Sequence, residues 1–107
     1  MKIFITGVAG FLGSHLADLM ISQGHSVAGN DNMIGGYTDN VPQDVEFHQV
    51  DCCDLENMTK AMEGCDIVYH TAATAYEGLS VFSPVLVTRN IFEASVTTIT
   101  AAIRNKV

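Results

Sequence analysis

Thr6-Gly7-Val8-Ala9-Gly10-Phe11-Leu12-Gly13 follows the short apolar run Lys2-Ile3-Phe4-Ile5 near the start of the chain. An apolar run, then glycines three residues apart, then a helical pattern is typical of a strand that turns into a helix around a phosphate. Gly7 would permit a tight turn, Gly10 a close approach to a ligand, and Gly13 close packing of helix on strand. The spacing is GxxGxxG and not the usual GxGxxG. On this motif alone, a tight turn without a ligand remains an alternative.

Length, charge and cysteine content limit the class of protein. The 107 residues form one domain at most, and no apolar run approaches the roughly 18 residues of a membrane helix. The net charge of −7 argues against nucleic acid and anionic membranes as partners. Cys52, Cys53 and Cys65 are odd in number and two are adjacent, which argues against a disulfide framework. We therefore expect reduced thiols in a cytoplasmic protein.

Strand and helix patterns alternate along the chain, which predicts an α/β fold with a parallel sheet. The doubly wound form of this fold is a three-layer, Rossmann-type sheet with strand order 3-2-1-4. A fifth strand would normally follow, so we expect residues 1–107 to be part of a longer domain. Strands are expected at 2–6, 26–30, 45–50 and 66–70, and helices at 12–23, 55–63 and 84–105. Loops are expected at 32–43 and 71–79. Gly24 is expected to end the first helix, and Asp54 and Ser83 are expected to be the N-caps of the second and third helices.

The last predicted helix carries two apolar stripes, whereas a surface helix normally has one. The stronger stripe consists of Val85, Phe92, Val96, Ile99 and Ile103. The second stripe, of mostly smaller residues, consists of Val87, Ile91, Ala94, Thr98 and Ala102. We expect one stripe to pack on the sheet. The other would meet a surface outside these 107 residues, which favours self-association.

Acidic residues follow the second and third predicted strands. Asp31 lies 18 residues after Gly13, where a carboxylate can bind a ribose diol and repel a 2′-phosphate, which favours NAD over NADP. Without the glycine turn, Asp31 would be read as a solvated loop acid. Asp51 follows the third strand, at the edge where ligands of this fold bind, and could contact adenine. Asp51 and Asp54 lack a third ligand at suitable spacing, so no metal site is predicted.

The four histidines, His15, His25, His48 and His70, are scattered and have no partner visible in the sequence. Histidines without a partner are seldom general acids or bases, so we expect no catalytic role for any of them.

Together these segments resemble the cofactor-binding half of the extended short-chain dehydrogenase/reductases. More narrowly, they resemble the NAD-dependent epimerase/dehydratase family typified by UDP-glucose 4-epimerase. The resemblance covers essentially the whole chain. It rests on Thr6-Gly7-x-x-Gly10-Phe11-Leu12-Gly13-Ser14-His15-Leu16, Asp31-Asn32, Asp51-Cys52-Cys53-Asp54, His70-Thr71-Ala72-Ala73 and, in the last helix, Asn90.

The resemblance implies NAD as cofactor, a sugar nucleotide as substrate, and oxidation of a sugar hydroxyl followed by return of the hydride. It also implies a homodimer through the helix at 84–105, and a loop at 76–80 near the nicotinamide and the sugar. The residues that it implies in cofactor binding are Gly7, Gly10, Phe11, Leu12, Gly13, Asp31, Asn32, Asp51, Cys52, Ala72, Ala73, Thr74 and Asn90.

The catalytic groups of the family, a Ser or Thr on the fifth strand and a Tyr-x-x-x-Lys motif, have no match here. The residues four positions after Tyr37, Tyr69 and Tyr76 are Val41, Ala73 and Ser80. We therefore predict no catalytic residue and expect these 107 residues to be inactive by themselves. Two alternatives remain: a non-catalytic module that binds or senses NAD(H), and a reductase of the same superfamily that acts on a non-sugar carbonyl.

Overall fold

Four parallel strands form one sheet in the order β3-β2-β1-β4, in a computed structural model that describes all 107 residues. The strands are β1 (Lys2–Thr6), β2 (Ser26–Asp31), β3 (Val45–Gln49) and β4 (Ile67–His70). The helices are α1 (Phe11–Ser22), α2 (Leu55–Ala61), α3 (Glu77–Phe82), α4 (Pro84–Thr88) and α5 (Ala94–Arg104), with a 3₁₀ turn at Thr38–Asn40 and a π-helical turn at Arg89–Glu93. The predicted α/β class and strand order are confirmed.

Strand β1 lies at the centre of the sheet, and its side chains alternate between the two faces because the period of a strand is two. Phe4 belongs to the core cluster beneath α2 and α5, whereas Ile3 and Ile5 belong to the cluster beneath α1. All three side chains are buried. The sheet is therefore covered on both faces, which completes the three predicted layers.

Helix α1 packs on the sheet through small residues. Gly13, Ser14 and Ala17 are its buried positions, whereas Leu12 and Leu19 are exposed. Of the other periodic apolar residues, Leu16 and Met20 are partly buried against the core cluster that contains Ile3 and Ile5. Gly24 follows α1 with φ +84°, as expected for a helix-ending glycine.

Both predicted N-cap residues precede their helices, but only one of them makes a side-chain cap bond. The Asp54 carboxylate accepts a hydrogen bond from the Asn57 N–H at 3.2 Å, which confirms it as the N-cap of α2. Ser83 makes no side-chain cap bond, although Pro84 does occupy the first turn of α4. Ser83 therefore occupies the predicted N-cap position of α4 without capping the helix through its side chain.

The predicted loop at 71–79 is helical at its end. Helix α3 begins at Glu77 and includes Gly78 and Leu79. The Ser80 hydroxyl donates to the Glu77 carbonyl oxygen at 2.6 Å, a bond within this one short helix. A six-residue helix with a glycine in its first turn is too short for apolar periodicity to reveal.

The predicted last helix is continuous from α4 to α5, but the π-helical turn interrupts its regular pattern. Ala94, Thr98 and Ala101 form the buried face of α5, which packs on α2 and β4. The expectation that one stripe packs on the sheet is confirmed for the small-residue stripe from Ala94 onward. It was wrong for Ile91, which is 42% exposed, because a π turn rotates preceding residues relative to following ones.

The stronger apolar stripe of this helix is exposed. Val85, Phe92, Ile99 and Ile103 have exposed fractions of 81%, 68%, 59% and 69%. None of the helices is long and apolar enough to cross a membrane.

We predict that Gly13→Ala will lower the free energy of unfolding by roughly 1–3 kcal/mol or prevent folding, as overpacking does. A Cβ at Gly13 would overlap the Gly7 carbonyl oxygen and lie 2.9 Å from the Val8 Cα, and neither backbone atom can move aside. Gly78→Ala is the matched control, because nothing lies within 4 Å of the added carbon. It should be neutral or stabilising by about 0.5–1 kcal/mol. Urea unfolding that gives the same stability for both variants would contradict this packing role.

Candidate functional site

A cleft of about 330 Å³ runs along the carboxyl ends of the strands. Ligands of open parallel sheets bind at this edge. Ten of the predicted residues line the cleft: Gly7, Gly10, Asp31, Asn32, Asp51, Cys52, Ala72, Ala73, Thr74 and Asn90.

The glycine turn lies at the middle of this cleft, between the end of β1 and the start of α1. Gly7 has φ +70°, and a Cβ there would lie 2.9 Å from the Ala72 Cα, so this contact requires glycine. The N–H groups of Gly7 and Val8 donate to the Asn30 carbonyl oxygen at 2.8 and 3.1 Å. These bonds fix the turn against the neighbouring strand β2.

The N-terminus of α1 opens onto the cleft. Gly10 is its N-cap, no side chain caps the first turn, and that turn contains no acidic residue. Free N–H groups and the positive end of the helix dipole are therefore available to an anion.

Asp31 is buried at the end of β2 and supports the glycine turn. Its carboxylate accepts from the Ala9 N–H at 3.1 Å and from the Met33 N–H at 2.9 Å. An ionised carboxylate has about four acceptor positions, so capacity remains for a ribose diol. Sequence reasoning anticipated a ligand contact here but missed the structural role, because Ala9 is 22 residues away.

Asp51 presents a hydrogen-bonded carboxylate after β3. It accepts from the Cys53 N–H at 2.8 Å and the Asn32 amide at 3.4 Å, and the Arg89 guanidinium lies 3.9 Å away. Partial burial raises the pKa of Asp51, but these partners outweigh that effect and hold the pKa below its ordinary value. The group is therefore a charged acceptor at neutral pH.

The thiols beside Asp51 are free and unreactive. Burial raises the pKa of Cys52, and burial with the Asp51 charge raises the pKa of Cys53 to about 11. Both remain protonated at neutral pH, which argues against a nucleophilic cysteine. No group of three or more His, Cys, Asp or Glu side chains is arranged to hold a metal ion.

The loop after β4 is attached to β1 by the Thr6 hydroxyl. Its oxygen accepts from the Thr71 N–H at 3.0 Å and the Ala72 N–H at 3.1 Å. Farther along this loop, the Asn90 amide donates to the Thr74 hydroxyl at 2.9 Å. The π-helical turn thus brings Asn90 to the cleft wall.

Three of the histidines, for which the sequence showed no partner, have a polar neighbour in the structure. His70 lies 2.7 Å from the Thr6 hydroxyl through Nδ1, His15 lies 2.7 Å from the Phe11 carbonyl oxygen, and His48 lies 3.2 Å from the Glu46 carboxylate. The partner of His70 is 64 residues away in sequence, and only the pairing of β1 with β4 brings it close.

Three predicted cofactor residues do not line the cleft. Phe11 and Leu12 begin α1 with side chains that are 82% and 62% exposed, and Gly13 is buried against Gly7. These three residues remain predicted cofactor contacts, as do the ten residues that line the cleft.

Sequence reasoning missed several lining residues. The Asn30 amide donates to the Val50 carbonyl oxygen at 2.8 Å and to the Cys52 sulfur at 3.3 Å, so this strand residue fixes the segment after β3. Its polarity within a buried strand was the signal that could have identified it. The other missed residues are Ile34, Gly35, Gly36, Ala75, Leu86 and Ala94. The cleft is also lined by Thr71, Tyr76 and Leu79, which lie in segments that the resemblance already implied near the cofactor.

Comparisons with known proteins agree with this arrangement. Residues 3–107 match the sequence model of the NAD dependent epimerase/dehydratase family. The GDP-mannose 3,5-epimerase of Arabidopsis thaliana is 38% identical over 76 residues, which cover 68% of this chain and 19% of that protein. The 2-alkyl-3-oxoalkanoate reductase of Shewanella oneidensis is 38% identical over 72 residues, which cover 67% of this chain and 18% of that protein.

A solved structure extends the similarity to the fold. The UDP-glucose 4-epimerase of Thermus thermophilus, in complex with NAD, superposes with a TM-score of 0.93 at 33% identity. The superposition covers 100% of this chain and 35% of that one. The chain thus spans about a fifth of the length of the two curated relatives and about a third of the solved structure.

The lowered pKa of Asp51 predicts a stability effect at acid pH. The unfolded carboxyl has a pKa of about 4, so this stabilisation is present above pH 4 and is lost as the pH falls through the folded value. Asp51→Asn lacks this titration. The stability difference between wild type and variant should therefore shrink from pH 5 to pH 3, as measured by thermal unfolding.

The exposed Asp44→Asn controls for the change in net charge. If the stability of wild type and that of Asp51→Asn change by the same amount over this pH range, the role of the Asp51 hydrogen bonds is contradicted.

Proposed function

The chain belongs to the NAD-dependent epimerase/dehydratase family, and from this premise we propose that residues 1–107 are the NAD-binding part of an enzyme acting on a sugar nucleotide. The enzyme would oxidise a sugar hydroxyl and later return the hydride. The observation that carries the proposal is the cleft itself, which joins the open N-terminus of α1, the buried Asp31 and the loop after β4.

The cleft offers complementary groups for the pyrophosphate, a ribose and the adenine of NAD. The free N–H groups in the first turn of α1, after the N-cap Gly10, suit the pyrophosphate. The remaining acceptor capacity of Asp31 suits a ribose diol, and the ionised Asp51 suits the amino group of adenine. NAD would supply a hydride acceptor, and these residues would bind and orient it.

The strand order gives the cofactor a direction. Asp31 and Asp51 follow β2 and β3 on one side of β1, whereas the loop after β4 lies on the other side. If Asp31 and Asp51 hold the adenosine, the nicotinamide end points toward Tyr76 and Leu79, which line the far part of the cleft. Any substrate would then approach α3.

The sugar-nucleotide assignment draws on the two epimerases described above, whose names specify GDP-mannose and UDP-glucose. A reductase acting on a non-sugar carbonyl is the second candidate, because the Shewanella oneidensis reductase is equally similar at 38% identity. NADH absorbance appearing when NAD-loaded full-length protein meets UDP-glucose or GDP-mannose would favour the first. Consumption of NADH with a 3-oxoacid would favour the non-sugar reductase. Binding of NAD(H) without either reaction would favour a non-catalytic module.

We also infer a homodimer through the exposed stripe of the last helix. Phe92, Val96, Ile99 and Ile103 are each about half exposed or more and lie along one side of the helix. Contiguous exposed apolar surface of this kind marks interaction sites. The free thiols suit a reducing compartment, and we therefore assign the protein to the cytoplasm.

We predict that the chain binds NAD more tightly than NADP. Asp31→Asn should lower the ratio of the NAD affinity to the NADP affinity by about tenfold, or ~1.4 kcal/mol. The variant removes the charge that would repel a 2′-phosphate. The ratio of the two affinities is the proper readout because Asp31 also holds Ala9 and Met33, so its loss should weaken both cofactors.

Isothermal titration calorimetry measures both affinities, with the exposed Asp18→Asn as a charge-matched control. Equal wild-type affinities for NAD and NADP would contradict the assignment of Asp31. Absence of binding to either would contradict the proposed function.

The exposed stripe predicts self-association that a single charge disrupts. Ile99→Glu should weaken dimerisation at least about tenfold, because a charge in an apolar interface loses its hydration. Leu19→Glu is the matched control, since Leu19 is 50% exposed on α1. Sedimentation velocity across a concentration series distinguishes the variants. A wild-type monomer at every concentration, or equal weakening by both changes, would contradict the interface.

A further inference from the structure

A chain of hydrogen bonds connects the glycine turn, the end of β4 and the last helix. The Thr6 hydroxyl meets three groups: the N–H of Thr71, the N–H of Ala72 and, at 2.7 Å, the Nδ1 of His70. On its other side, the Nε2 of His70 lies 3.0 Å from the Ser95 hydroxyl. The imidazole therefore links the first strand to α5.

The hydrogen-bonding capacity of these groups fixes the position of each proton. A hydroxyl has one proton and two lone pairs, and the two backbone N–H groups occupy both lone pairs of Thr6. Thr6 must therefore donate its proton to Nδ1 of His70. The imidazole is then neutral and carries its proton on Nε2, which donates to Ser95. Ser95 in turn donates to the Ile91 carbonyl oxygen at 2.6 Å.

We propose that His70 is a positioning residue for the NAD-binding cleft: its neutral, Nε2-protonated form holds the Thr6 hydroxyl against the loop after β4, and protonation of Nδ1 releases this loop and weakens NAD binding. The inference rests on the proposed cofactor function and extends it with a pH dependence. His70 lies outside the cleft and acts through Thr6.

A proton on Nδ1 conflicts with the present bonds of Thr6. The added N–H needs an acceptor, but the facing oxygen has no free lone pair. The hydroxyl must then rotate and give up its bond to Thr71 or Ala72. Ala72 touches Gly7 so closely that no side chain fits between them, so the disturbance reaches the glycine turn directly.

The surroundings of His70 favour its neutral form. Partial burial lowers the pKa of the imidazole, and no charged side chain contributes to that shift. The groups that face it, Thr6 from β1 and Ser95 from α5, are uncharged. The charged residues of the adjacent π-helical turn, Arg89 and Glu93, lie 4.0 Å from each other and form an ion pair. On β1, Lys2 pairs with Glu46 at 2.9 Å, at the opposite end of the strand from Thr6.

The test compares the NAD affinity of wild type and His70→Asn by calorimetry from pH 7.5 to pH 5. The asparagine carbonyl can replace Nδ1 as the acceptor for Thr6, but it cannot take up a proton. We expect wild-type affinity to fall roughly three- to tenfold across this pH range, the loss of about one hydrogen bond. His70→Asn should retain the affinity of wild type at pH 7.5 without this fall.

His25→Asn is the matched control, since this residue follows α1 and lies away from the cleft; it should keep the wild-type pH profile. A pH-independent wild-type affinity, or the same fall in His70→Asn, would overturn the proposal. Circular dichroism at each pH confirms that the chain remains folded.

Nitrogen NMR of the wild-type imidazole is a second measurement that needs no variant. We expect a bare Nδ1 and a protonated Nε2, and the opposite tautomer would overturn the proposal even if NAD binds. Failure of every variant to bind NAD at pH 7.5 would count against the proposed function instead, and the NMR result would then decide the role of His70 alone.

Discussion

The close contact of Gly7 with two neighbours is the constraint on which the rest of the structure depends. The Gly7 carbonyl oxygen lies against Gly13 of α1, and the Gly7 Cα lies against Ala72 of the loop after β4. Neither contact leaves room for a Cβ. Because the turn joins a strand, a helix and a distant loop at one point, the position of the cleft is set by backbone packing rather than by long side chains.

Polar side chains secure this junction from two sides. Asp31 accepts from Ala9, and Thr6 accepts from Thr71 and Ala72, so each neighbouring strand end is bonded to the turn or to β1. A buried carboxylate or hydroxyl without such partners would cost about 1–3 kcal/mol, so these residues stabilise the junction only as long as it stays assembled. The groups proposed to bind NAD therefore also maintain the fold around it.

The sequence predicted the features that depend on local pattern. Alternation of strands and helices led to the strand order, and Asp54 was identified as a cap from its position before an apolar helix. The bonds between Thr6 and His70 could not be foreseen, since the two residues are 64 positions apart and meet only through β1–β4 pairing. In α1 and in the last helix, apolar periodicity alone did not distinguish buried positions from exposed ones. Leu12 and Leu19 are exposed, whereas Ala17, Ala94 and Ala101 pack in the core, because close approach to a sheet favours small side chains.

The π-helical turn at Arg89–Glu93 implies that the length of this segment is constrained more strictly than its composition. Removing one residue would restore a regular α-helix but rotate the preceding part by about 100° relative to α5. The Asn90 amide could then no longer meet Thr74 while Ala94 and Thr98 stay in the core. Substitutions at Phe92 or Glu93 leave that geometry intact. Across proteins that share this helix, we therefore expect insertions and deletions in this turn to be rarer than substitutions at Glu93.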